Sequence, residues 1–357
     1  MTYPPTSRYS AVRVLLVGTG VQSIPPTGYG GVERTIAELA NALRAAGDDP
    51  IVVNRVRSGR TTDEYWFAWE LPRRLRAESF DVIHASTPVV AQRLAFAHTP
   101  FVYTSHSRHW FECRGARERW GLYLERRAVR KAAQAIALTQ TLAGRIGETV
   151  AASPPLEVVP IGVDVDRFQA DGSRRTGRRA LGVGIVRPFK RWELAARALR
   201  GTGITLRIAG PTPDPEYAEL VRRAGDGVEL LGEVSDPRLR ELYSESDLLL
   251  HPSRVELLAG AVLQGLSASL PVLGARPVAD LVDDGVTGAI APADATAEEL
   301  TQFWNRWALR LRDDEGLRRL MGDAGRRVAE TRYSWAAVAA AHQRIYRRVA
   351  RAGVTRR

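Results

Sequence analysis

Of the 51 basic residues in this 357-residue chain, only two are lysines, Lys131 and Lys190. Lys190 follows a strand-like run, Leu181–Val186, where a helix is expected to begin. A compact ammonium at such a junction offers a point charge to phosphate and can match negative charge growing on a departing diphosphate. A second position stands out in DLLLHPSRVELLAGAVLQGLSASLPVLG, which reads as a strand, a short loop and a helix opening near Glu256 and closing before Pro271. A carboxylate there can accept hydrogen bonds from sugar hydroxyls, while the amides that follow point at phosphate oxygens. A third is the loop GTGVQSIPPTGYGGVE, whose Gly28, Gly30 and Gly31 let the backbone approach a ligand, directly before a helix. A diphosphate suits that loop. The tight dinucleotide turn does not, because Ser23 occupies its third glycine position and the prolines delay the helix.

Other chemistries fit poorly. His106, His109 and Cys113 match no common zinc spacing, so no metal is expected. Ser105 lacks the glycine-flanked elbow of a serine hydrolase. The net charge of +11 is carried almost wholly by arginine. Without interleaved aromatic platforms or a base-reading motif, it does not indicate nucleic-acid binding. From Thr331 onward the chain holds seven arginines and no acid, a composition compatible with peripheral contact at the inner membrane face. One cysteine excludes an internal disulfide framework, and with no signal-like N-terminus or membrane-spanning apolar run the expected compartment is the cytoplasm.

The elements that must position these residues form two series. Strand-like runs recur at Val12–Val17, Ile51–Val53, Asp81–His84, Phe101–Thr104 and Ala135–Leu138, separated by longer amphipathic stretches. Val32–Ala46 places Val32, Ile36, Leu39, Ala40 and Leu43 on one helical face, with Gly47 closing it. A second series has strands at Leu181–Val186, Ile204–Ala209, Val228–Leu231, Asp247–His251, Pro271–Leu273 and Ala289–Ala291. Such alternation predicts parallel sheets covered by helices, with ligands at the carboxyl ends of the strands. The proline- and glycine-containing stretch around residue 165 reads as the join. The expected domains are therefore 1–165 and 166–330, with 331–357 a final helix returning to the first domain through Trp335 and Tyr346.

Several motifs, in order over nearly the whole chain, resemble the retaining nucleotide-sugar glycosyltransferases of family 4. GYGGVERTIAELANALRAAG is similar to the family's opening phosphate loop and helix, YTSH to its first-domain histidine motif, and VVPIGVDVDRF to its interdomain segment, with Ile161 in place of asparagine. LRIAGP, LLGEVSDPRLRELYSESDLLLHPS, LVDDGVTG and YSWAAVAAAHQRIYRRV resemble the second domain and final helix. The resemblance implies an α/β GT-B fold, two Rossmann-like domains facing a central cleft. The first would serve the acceptor and the second the nucleotide-sugar donor.

It also implies roles. His106 would meet the donor sugar or the reacting centre. Lys190, with Arg187 or Arg191, would hold the diphosphate, and Glu256 the sugar hydroxyls. Ala259 and Gly260 belong to the turn after Glu256, Gln264 would meet the ribose, Val234 the base, and Gly30 and Gly31 would complete the phosphate cradle. The implied reaction moves a hexose-type sugar to a hydroxyl by same-face displacement, with the diphosphate as base. It needs neither metal nor cofactor, the nucleotide sugar being a co-substrate. UDP is the favoured donor nucleotide. The acceptor, a sugar, lipid-linked sugar or small metabolite, would use the Arg57–Trp69 and His106–Trp120 regions. Three positions depart from the pattern: Gln264 replaces the family's second glutamate, Ile185 its arginine, and Leu257-Leu-Ala-Gly260 its glycine-rich turn. These departures keep a second reading open, an inactive scaffold that retains the fold or nucleotide binding.

Overall fold

The computed structural model describes residues 11–27, 30–60, 62–75, 78–96, 100–106, 108–111, 115–150, 155–170, 172–173, 175–256 and 259–354. It comprises two compact units, one formed by 1–161 with 335–357 and the other by 162–334.

In the first unit, β1 (Arg13–Val17), β2 (Asp49–Val53), β3 (Val82–Ala85), β4 (Phe101–Ser105), β5 (Gln134–Ala137) and β6 (Leu156–Val158) form one sheet in the order β2-β1-β3-β4-β5-β6. Every pairing is parallel. A parallel sheet is buried on both faces, and β3, β4 and β5 are accordingly buried at every position. One face packs under α1 (Gly31–Ala45), whose Ile36, Leu39, Ala40 and Leu43 share a core with Val14 and Leu16. The other lies under α2 (Asp63–Leu75), α3 (Pro88–Phe96), α4 (Ala116–Lys131) and α5 (Gln140–Thr149), through Phe67, Leu71, Leu94, Val129 and Ile146. The strand β6 is not among those expected, since the sequence reads there as a proline-bounded join. Its hydrogen bonds to β5 make it the sheet edge.

The second unit repeats the design with β7 (Arg179–Val183), α6 (Trp192–Leu199), β8 (Thr205–Ala209), α7 (Pro215–Ala224), β9 (Val228–Gly232), α8 (Asp236–Glu245), β10 (Leu248–His251), α9 (Gly260–Ser267), β11 (Val272–Gly274) and β12 (Gly288–Ile290). The helices α10 (Ala297–Asp313) and α11 (Glu315–Val328) complete it. Its sheet runs β12-β11-β10-β7-β8-β9, again all parallel. The strand order reverses between β7 and β10, so the loops leaving their carboxyl ends diverge and open a crevice. Fully buried Trp192 and Trp304 anchor helices on this core.

The last helix, α12 (Trp335–Val354), belongs to the first unit, where Val338, Ala339, Ile345 and Tyr346 share a core with Val12, Val14 and α1. No helix among the described residues is long and apolar enough to cross a membrane.

Candidate active site

The crevice between β7 and β10 collects the second unit's predicted diphosphate and sugar ligands. Lys190 ends a short 3₁₀ turn, Pro188–Lys190, and Arg191 follows in a left-handed conformation before α6 begins at Trp192. Lys190 therefore precedes the helix rather than opening it. Glu256 likewise lies in a loop, because α9 begins only at Gly260, after left-handed Ala259. The expectation of a helix opening near Glu256 fails through that backbone break, which the sequence LLAG does not announce.

Polar contacts join the two loops. The Arg254 amide donates to the Phe189 carbonyl at 2.9 Å. The Arg191 guanidinium donates to the carbonyls of Pro252 and Ser253 at 2.7 and 3.3 Å. Lys190 Nζ meets Glu256 Oε2 at 2.6 Å, with side chains only 11% and 14% exposed. Arg191 thus braces the loop that carries Glu256, whereas Arg187 is exposed and makes no ion pair among the described residues. Gly184 has φ 146°, and a Cβ there would lie 3.2 Å from Lys190 Cε, so this glycine gives the lysine stem its path.

His251, at the end of β10, completes the cluster. Its Nε2 lies 3.0 Å from Glu256 Oε2 and 3.2 Å from Ser253 Oγ, and buried Nδ1 has no hydrogen-bond partner among the described residues. Burial lowers the His251 pKa, so the neutral ring donates Nε2–H to Glu256 and leaves Nδ1 bare. Burial alone would raise the Glu256 pKa, but the His251 hydrogen bond and the Lys190 charge outweigh it and hold the carboxyl far below its ordinary range. The result is a fixed carboxylate beside an ammonium with two further N–H donors to offer. His251 is not singled out by the sequence; its one signal is a polar residue closing the apolar run LLLH.

Gln264 lies on α9, where Tyr243 Oη is 3.0 Å from its Oε1 and 3.1 Å from the Ala261 carbonyl. Tyr243 is buried, and no sequence pattern marks its role. Val234, half-buried, lies between β9 and α8. Leu257 and Leu258 fall outside the described residues.

In the first unit, His106 directly follows β4 and helps line a pocket with Thr35, His84, Thr104, Trp335 and His342. Its buried Nδ1 has no hydrogen-bond partner among the described residues, and burial, reinforced by His342, lowers its pKa to about 4. It is a neutral imidazole near pH 7. Close by, His84 is bracketed by Tyr346 Oη and Thr104 Oγ1, each at 2.7 Å. Ser105 is fully buried and donates to Glu125 at 2.9 Å, a packing role. Gly30 precedes α1, which begins at Gly31 with no side-chain cap on its first amides. A Cβ on Gly30 would lie 2.6 Å from Gln22 Oε1 and 2.9 Å from Pro26 Cβ. The first turn also contains buried Glu33, which accepts from Thr19 at 2.6 Å and offsets part of the helix's attraction for anions. Gly28 and Cys113 lie outside the described residues.

The sequence pattern of Glycosyltransferase Family 4 matches residues 29–167, and that of Glycosyl transferases group 1 matches residues 189–306. The chain belongs to this glycosyltransferase family. It is 26% identical over 298 residues to an MMP α-(1→4)-mannosyltransferase of Mycolicibacterium hassiacum, covering 76% of this chain and 71% of the relative. It is 26% identical over 312 residues to an α-maltose-1-phosphate synthase of Mycobacterium tuberculosis, covering 76% and 80%. Among solved structures, the glycosyltransferase resembles sucrose-phosphate synthase from Thermosynechococcus elongatus, with TM-score 0.79 at 17% identity over 96% of this chain and 100% of that one. It also resembles Anabaena HepE in complex with UDP and glucose, with TM-score 0.70 at 16% identity over 94% and 99%. At these identities the likeness establishes the α/β GT-B fold.

Proposed function

We propose that this glycosyltransferase transfers a hexose from a UDP-sugar to a hydroxyl acceptor with retention and without a metal. The observation that carries the reading is the Lys190–Glu256–His251 cluster at the strand-order reversal of the second unit. An ionised carboxylate accepts from sugar hydroxyls, and the adjacent ammonium stabilises charge on the departing diphosphate. Because Lys190 and Glu256 cancel in net charge, exposed Arg187 supplies the excess positive charge a diphosphate requires. The acceptor oxygen bonds to the anomeric carbon as the bond to the diphosphate breaks, and the acceptor's proton passes to a diphosphate oxygen on the same face. His106, assigned to the reacting centre by family resemblance, is neutral and acts through hydrogen bonding. One relative is named for α-(1→4)-mannosyl transfer and one structural neighbour holds UDP and glucose, which favours this donor class.

The test is calorimetric titration with UDP, GDP and ADP, each with and without a chelator. Tight, chelator-insensitive binding of UDP alone is expected. Preference for another nucleotide would overturn the donor assignment, and loss of binding with chelator the metal-free one. Binding without turnover in a sugar-transfer assay would favour the inactive-scaffold reading, which rests on neutral Gln264 and on Ile185. Gly31 tests the first-unit loop: it is exposed at the start of α1, so Gly31→Trp is expected to abolish nucleotide-sugar binding while leaving the melting temperature nearly unchanged. Wild-type affinity in that variant would remove the loop from the site.

A further inference from the structure

The outer surface of α2, α3 and α4 carries aromatic rings that packing does not explain. Trp66, Trp69, Phe96, Trp120 and Tyr123 are 56%, 66%, 66%, 54% and 51% exposed. Guanidinium groups lie among them, which corrects the expectation that aromatic and basic side chains are not interleaved: the partners come from different segments of the chain, so linear spacing does not reveal them. Arg57 lies over Trp66 at 5.2 Å, Arg93 of α3 over Trp69 of α2 at 5.4 Å, and Arg127 of α4 over Phe96 of α3 at 5.4 Å. Trp120 and Tyr123 stack at 5.3 Å one turn before Arg127. Most of the acids on these helices are withdrawn from this face. Asp63 is buried against Ser58 and Gly59, and Glu125 against Tyr103 and Ser105. Glu70 pairs with Arg55 at 2.7 Å, which leaves half-buried Glu64, its pKa raised by burial to about 6, and Glu118 to oppose the arginines.

We propose that this face docks on an anionic lipid surface. Tryptophan and tyrosine rings with arginines between them match the depth at which aromatic side chains and phosphate groups meet in a bilayer interface. Protein interfaces are enriched in the same aromatic and arginine side chains, and failure to bind anionic vesicles at low salt is the outcome that would favour such a partner. The rings and cations span the outside of three helices, and none of them lines the first unit's pocket. Arg57, Trp66, Trp69 and Trp120 fall in the regions expected to receive the acceptor, so the test relies on Arg93, Phe96, Tyr123 and Arg127, which lie outside them; the inference does not draw on the arginines after Thr331.

Sedimentation of the full-length protein with vesicles tests it. Binding is expected to vesicles of equal phosphatidylcholine and phosphatidylglycerol, not to pure phosphatidylcholine, and to weaken with salt. Arg93→Gln with Arg127→Gln is expected to reduce binding about thirtyfold, at about fivefold per cation. Phe96→Ser with Tyr123→Ser should also weaken it, and both pairs should keep the wild-type melting temperature. Equal binding to neutral vesicles, no binding at low salt, or full binding by both variants would overturn the proposal. So would loss, in the arginine variant, of binding to a soluble acidic polysaccharide while vesicle binding persists.

Discussion

Replacing Lys190 by alanine is expected to lower kcat about 10²- to 10³-fold, the effect of removing one preorganised electrostatic donor from a transition state. Steady-state kinetics with the donor identified by calorimetry would measure it. Lys190→Arg should not restore the rate, because a planar fork cannot occupy the path that Gly184 leaves for a slender stem. The alanine substitution also leaves Glu256 with His251 but without its ammonium, so stability should fall by up to about 3 kcal/mol. Adding Glu256→Gln to Lys190→Ala should recover much of that stability and none of the rate. Near-wild-type kcat in Lys190→Ala would remove the lysine from the chemistry.

The second large effect is on acid stability. In the first unit His84 and His342 are buried and His106 is half-buried with its Nδ1 out of solvent; all three are neutral, with pKa values lowered to about 4 for His106 and His342 and well below the ordinary value for His84, burial being the main cause. Unfolding lets each take up a proton near its ordinary pKa of about 6.5. The unfolded state therefore binds more protons below that value, and stability is lost as pH falls from about 6.5 towards 4. Three such protons correspond to a slope of about 4 kcal/mol per pH unit between those limits. Denaturant titrations across that range should show it, and His342→Leu should reduce the slope by about a third. A flat profile would mean that the histidines are already protonated in the folded chain.

Most of the strand series is legible because buried parallel strands read as short apolar runs, as in LLLH of β10 and FVYT of β4. The β6 edge is not, because a three-residue strand beside prolines carries no periodicity. Lys190 and Glu256 stand out by residue type near strand ends, and the structure places them in direct contact. What the sequence conceals is how they are held. Arg191 directs its guanidinium at loop carbonyls, a choice set by the left-handed turn at its own backbone. His251 bonds to a side chain beyond a loop, and Tyr243 to a different helix; no local spacing encodes either pairing.

The first unit is assembled from both ends of the chain, since α12 covers the sheet face formed by β1, β3 and β4. During synthesis, the apolar side of that sheet must wait for residues 335–354 to leave the ribosome. The middle unit, continuous in sequence, has all its strands and helices available earlier. The half encoded first is therefore the half completed last, and a nascent chain stalled within α11 would expose the surface that α12 is built to cover.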